Sequence, residues 1–303
     1  MSEATTAYDM AAEVHVTSGQ PERRSWHLSR VRALPPGVLI GGGIVSILVI
    51  VAIAAPLIAP DDPQAGSLLT RLQGVGTSGH LLGTDGQGRD VLSRLIWGAR
   101  PSLIAGIVPV AIAGVIGTAL GAIAGFGGSR LRTLLMRSLD VLYAFPAILL
   151  AIAIGATLGP GLTNVIVSLS VILIPPIARI AESEALRIRS LDFMDAARTS
   201  GAGWIRIGLR QVLPNIAPPV IVYCTALVGL AIVYAAGLSF LGLGIVPPQP
   251  DWGGTLNDLR NNLFTQPWLS LVPAAAIFIA SAAFNILGDG LRELLDVRAD
   301  RAK

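Results

Sequence analysis

The chain has 303 residues, 52% of them hydrophobic and only 14% charged, with a mean hydropathy of +0.67. Soluble globular domains carry roughly 25% charged residues, so this balance points to a membrane protein and excludes an ordinary soluble fold. The formal charge is +3, and the basic residues lie between apolar runs, which favours a membrane surface over nucleic acid.

Residues 1–36 are polar and mixed, with no early apolar core. That is not the pattern of a signal peptide, and the reading is a flexible cytoplasmic tail. Apolar runs long enough to span a hydrocarbon core of about 30 Å then follow. The first covers 37–59 and leads into an outer loop, 60–101. The second covers 102–126 and carries Gly117, Gly121 and Gly125 at a spacing of four, a ridge suited to close helix packing. The third covers 139–159; the fourth, 163–180, contains Pro175 and Pro176 and is expected to bend. A charged segment, 182–215, separates it from the fifth run, 218–242; the sixth covers 270–288, and a tail, 291–303, closes the chain.

The arginines set the expected orientation. The N-terminal tail, the loop between the second and third runs, the segment 182–215 and the C-terminal tail are rich in them, and the outer loops are poorer. Both termini and the segment 182–215 are therefore placed in the cytoplasm. The fold class is an all-α membrane protein with six transmembrane helices.

The chemistry of catalysis is sparse. Cys224 is the lone cysteine and lies in an apolar run, where a buried spectator is expected. His15, His27 and His80 all fall outside the apolar runs, so no metal site and no histidine-based triad is expected within the membrane. Asp140 and Asp289 could be imagined as the pair of an intramembrane aspartyl protease, but both fall at the ends of their runs, where an interfacial charge is the better reading. A stand-alone secondary transporter would carry ionisable groups near mid-membrane, and none of the six runs has one. No charge ring or filter suggests a channel.

Two polar stretches remain. In the outer loop, "HLLGTDGQGRDVLSRLIWGAR" supplies turn chemistry at Gly83, Asp85, Gly86 and Gly88, then Asp90 and Arg94 one turn apart at a helix start. Its glycines lack the spacing of a dinucleotide fingerprint, and its acids lack that of an EF-hand. The second stretch is "DFMDAARTSGAGWIRIGLRQVLPN" at 192–215. Asp192 is read as a helix cap with Asp195 at the third position; Ala196 and Ala197 keep the helix slim, and Gly201 and Gly203 break it. A second helix puts Ile205, Gly208, Leu209 and Val212 on one stripe and Arg206 and Arg210 on another, and Pro214 is expected to close it. Helix chemistry leaves two readings open, a fitting for a partner's cleft or a plain helix pair between spans.

The spacing of the second stretch resembles the "EAA" signature of permease subunits of ABC importers. Asp195, Ala196, Ala197, Gly201, Leu213 and Pro214 match it; Asp195 stands in place of the family's Glu, and Gln211 where many members have Ile. "LLGTDGQGRDVLSRLIWGARPSL", "LSFLGLGIVPPQPDWGGTLND" and "NILGDGLRELLDVR" are similar to segments of the C-type permeases for dipeptides, oligopeptides and nickel, so the resemblance covers about 37–298.

The resemblance implies a type I importer permease, with a five-helix core at 102–290, in the bacterial cytoplasmic membrane. It implies a B-type permease partner, one or two kinds of ATPase subunit and an extracytoplasmic solute-binding protein. Asp192, Asp195, Ala196, Ala197, Ser200, Gly201, Leu213 and Pro214 would couple the chain to the ATPase, and Gly83, Thr84, Asp85, Gly88, Arg89 and Asp90 would form the family's outer-loop motif. ATP and Mg would be held by the partner ATPases, leaving this chain without cofactor or catalytic residue. Cargo would be a peptide, with a nickel chelate, glutathione or an oligosaccharide as alternatives.

Overall fold

The computed structural model describes residues 34–300 except Ser78, without the side chains of Arg198 and 296–300. The expectation of a flexible tail at 1–36 therefore falls almost wholly outside the described residues.

Regular structure among these residues is helical. Helix α1 (Pro36–Ile58) starts on a proline, whose missing N–H costs nothing at that position. A long loop leads to α2 (Val91–Phe126). Then come α3 (Ser129–Tyr143), α4 (Ala147–Leu158), α5 (Leu162–Arg189), α6 (Asp192–Thr199) and α7 (Trp204–Ile207). A π turn, Gly208–Val212, joins α7 to α8 (Leu213–Phe240); α9 (Trp252–Leu259) and α10 (Pro267–Asp300) complete the order.

Five helical stretches are long and apolar enough to cross a membrane: 36–58, 91–126, 162–189, 204–240 and 267–295. The third expected span, 139–159, is not one straight helix. It is the bent pair α3 and α4, angled by 82° at Ala144–Pro146, and only as a pair does it make a sixth crossing. The cause is local: Pro146 has no N–H to continue α3, and it becomes the residue preceding α4.

Other boundaries move too. Helix α2 begins at Val91, so the expected loop 60–101 ends about one helical segment early. Helix α5 runs unbroken through Pro175 and Pro176 to Arg189, so residues 182–189 belong to it rather than to the segment that follows. Helix α10 continues to Asp300 across the expected C-terminal tail. Pro214 does not close a helix. Leu213 N–H bonds back to the Gly208 carbonyl, five residues earlier, and Pro214 then occupies the first turn of α8, where no N–H is required.

Small residues fix the packing. The ridge Gly117, Gly121, Gly125 lies along α5: a Cβ on Gly121 would stand 2.7 Å from Ala181 Cβ and 2.8 Å from the Glu182 nitrogen, and one on Gly125 2.7 Å from Ala185 Cβ. The contacts rise together in number, so α2 and α5 run parallel. Helix α1 runs antiparallel to α10 through Gly37 beside Gly290 and Gly41 beside Leu287. Gly121→Ile is expected to cut the yield of monodisperse protein in detergent size-exclusion chromatography to a small fraction of wild type, since overpacking costs about 1–3 kcal/mol even where the core can shift. Gly43→Ile, whose added Cβ meets nothing within 4 Å, should leave that yield unchanged.

Candidate functional site

Two constellations lie at opposite ends of the bundle. One gathers the outer-loop motif at the start of α2, and the other is built from α6 and α7.

The motif residues Gly83, Thr84, Asp85, Gly88, Arg89 and Asp90 do come together, in a compact turn. Gly88 adopts φ +75°, and a Cβ there would collide with the Ser67 backbone, so only glycine fits. Thr84 is fully buried; its Oγ1 accepts from Gln73 N–H at 2.9 Å and donates to the Thr70 carbonyl. Asp90 caps α2, its Oδ2 accepting from Ser93 N–H at 2.7 Å.

Asp85 is the centre of the charge network. Its carboxylate, fully buried, accepts from the N–H groups of Gln87 and Arg89 and from Arg89 Nε at 2.7 Å. Arg89 and Arg94 then converge on Asp258 of α9, at 2.8 and 2.9 Å. Arg94 thus pairs across the fold with Asp258 rather than with Asp90 one turn earlier. Sequence reading missed Asp258, because it lies 169 residues from Arg89. The Pro- and Gly-rich segment between α8 and α10 carries α9 itself. Trp252 donates from Nε1 to the Leu95 carbonyl at 3.0 Å, and Asp251 caps α9 by accepting from Gly253 and Gly254. Burial pushes the Asp251 carboxyl above the usual carboxylate range; the Gly254 N–H, Ser239, the Gly253 N–H and the Arg94 charge pull it back.

Asp61, His80 and Asp90 bring one donor atom each within 4.8 Å of one another. His80 Nδ1 lies 3.0 Å from Asp90 Oδ1 and 3.7 Å from Asp61 Oδ2, so a hydrogen bond to the capping carboxylate accounts for the contact.

At the other end, α6 is a two-turn helix anchored by one side chain. Met194 is fully buried, while Asp192, Asp195, Ala196, Ser200 and Gly201 are exposed. Asp192 is the first residue of α6 rather than the residue before it, placing both acids in the first turn, where they favour the helix dipole. The elbow forms as expected: Ser200 N–H bonds to the Ala196 carbonyl, and Gly201 adopts φ +76°. Leu213 and Pro214 lie apart from α6, at the start of α8.

The two stripes of the second helix also separate as expected. Ile205, Gly208, Leu209, Val212 and Leu213 face an apolar cavity of about 910 Å³ between α2 and α8, with half-buried Cys224 on its wall. Trp204 stacks on Phe126 at this end, with ring centroids 5.6 Å apart. Arg206 and Arg210 face a separate cleft of about 330 Å³ beside α6. The surrounding helix ends are tied by ion pairs of Arg132 with Glu182 at 2.6 Å and of Arg179 with Asp140. Asp140 is thus engaged in an interfacial pair and Asp289 is exposed, so neither has the shielded setting of a proton-sharing dyad.

Comparison with known proteins bears on both ends. Residues 117–301, which include all of α6 and α7, match the family described as binding-protein-dependent transport system inner membrane component. The chain is 39% identical over 288 residues to the glutathione transport system permease protein GsiD of Pectobacterium atrosepticum, covering 95% of this chain and 96% of that protein. It is 41% identical over 269 residues to the di/tripeptide transport system permease protein DppC of Pseudomonas aeruginosa, covering 86% and 88%. Among solved structures, an inward-facing MetNI methionine ABC transporter matches with a TM-score of 0.52 at 20% identity, covering 65% of this chain and 96% of that one; at this identity it speaks for the fold alone.

Proposed function

The chain belongs to the family of binding-protein-dependent transport system inner membrane components, and on that premise we propose that it is the permease subunit of an ATP-driven peptide importer. Its membrane is the bacterial inner membrane. The observation that carries the coupling part of this reading is α6, a slim exposed helix held by Met194 and ended by the Gly201 elbow. A narrow tip of that kind suits a groove on an ATPase subunit. Asp192, Asp195, Ala196, Ala197, Ser200 and Gly201 would sit in the groove, with Leu213 and Pro214 carrying its movement into α8.

Energy would come from another chain. The sequence has one lysine, Lys303, at a position that cannot complete a phosphate-binding G-x-x-x-x-G-K-[ST] loop. ATP and Mg would therefore be bound by the ATPase partners. The arginine-rich α6 end is assigned to the cytoplasm with both termini, and the α9 end faces outward. There the charge network around Asp85 holds α9 and the outer loop as one rigid surface, on which a solute-binding protein would deliver cargo. A second, B-type permease would complete the path. The charge-poor 910 Å³ cavity offers a peptide few hydrogen-bond partners, which suits passage rather than tight retention.

The test is uptake of labelled di- and tripeptides into proteoliposomes. ATP-dependent uptake should require this chain, its permease partner, the ATPases and the binding protein together. Uptake by this chain alone under an ion gradient would reject the reading.

A further inference from the structure

We propose that the cleft between α6 and α7 receives an acidic side chain of the ATPase subunit, held by Arg206 and Arg210. This rests on the importer reading above and adds an electrostatic half to the docking of α6.

Three arginines near this end of the bundle are already engaged with acids. Arg132, Arg179 and Arg187 form ion pairs with Glu182, Asp140 and Glu184. Arg206 and Arg210 are exposed, and among the described residues neither forms an ion pair. They line one cleft of about 330 Å³ together with Ala197, Ser200, Gly201 and Gln211. Ala197, Ser200 and Gly201 have short or missing side chains, which leaves room for a carboxylate beside the arginines. The Ser200 hydroxyl is already spent on the Ala197 carbonyl at 2.8 Å, leaving the arginines as the cleft's strong donors.

Geometry favours a protein acid over a lipid phosphate. Ile205 and Leu209, on the other stripe, face the apolar cavity, and the arginines turn away from it toward α6. The cleft therefore opens beside the docking helix rather than along the apolar face. Two like charges one helical turn apart repel, and a carboxylate between them relieves that repulsion.

The experiment measures binding of the purified ATPase subunits to the permease pair in nanodiscs of neutral phosphatidylcholine, over a range of salt. Wild-type affinity should fall as salt rises, since it contains an ion-pair contribution. Arg206→Gln with Arg210→Gln should weaken binding about tenfold and flatten that salt dependence. Arg206→Lys with Arg210→Lys should keep most of the affinity. Salt-independent wild-type binding, or a Gln variant that binds as wild type does, would overturn the inference. So would a loss that appears only when anionic phosphatidylglycerol is present, which marks a lipid contact. Failure of the docking reading shows separately, as wild-type affinity in a variant with a bulky residue at Gly201.

Discussion

In proteoliposomes holding the whole transporter, Gly201→Val is expected to lower ATP-driven uptake about tenfold or more while ATP hydrolysis continues. Gly201 ends α6 at φ +76°, where a residue with a Cβ pays roughly 1–2 kcal/mol and a β-branched one stands at the high end. That is about a tenfold change in the population of the elbow. No heavy atom lies within 4 Å of an added Cβ, so the effect does not come from a clash in the core. Relief of the strain is expected to unwind the last turn of α6 and so to move Ala197 and Ser200. Gly201→Asn separates conformation from bulk, because asparagine tolerates the left-handed region, and it should retain most uptake. Wild-type coupled uptake by the valine variant would refute a docking role for the elbow.

The second large effect lies at the opposite end. Asp85→Ala should destabilise the purified permease by about 3–5 kcal/mol, the usual consequence of removing one partner from a buried charge network. Arg89 and Arg94 are each only 3% exposed, and without Asp85 they crowd one carboxylate on Asp258. Asp258→Ala should cost less, because its side chain is 32% exposed and water replaces part of what it supplies. The measurement is the thermal unfolding midpoint of each variant in detergent. Equal midpoints for Asp85→Ala and wild type would remove the network from the account of stability.

What the sequence revealed depended on the range of the interactions involved. The apolar runs, the glycine ridge on α2 and the two stripes of the second helix are periodic, local features, and they were readable. So was the Gly201 elbow, which needs only the neighbouring turn. The helix start at Asp90 was readable from its cap, but the apolar run starts only at 102 because hydropathy stops at Arg94 and Arg100. The helix continues through them because Asp85, Asp258 and the α1 carbonyls take their charge. The break between α3 and α4 is local, at Pro146, but hydropathy joins the residues on either side of it into one run. The π turn before Pro214 was invisible, since it depends on where Leu213 finds an acceptor. The outer-loop residues were picked out by resemblance, but their common partner on α9 could not be, because nothing in a linear pattern relates Arg89 to Asp258.

Helix α1 carries Pro56, which cannot donate an N–H to the Ala52 carbonyl one turn back. Arg100 of α2 fills the gap, with Nε on Ala52 and Nη2 on Ile53 at 2.8 Å, and its guanidinium lies 4.9 Å over the Trp97 ring. The two positions therefore act as one unit across α1 and α2. Losing Arg100 first strands a carbonyl at the membrane edge, whereas losing Pro56 first lets the helix reclaim that carbonyl and leaves a cation short of acceptors. Either single change therefore disturbs the junction of α1 with α2, which this pair holds through backbone carbonyls.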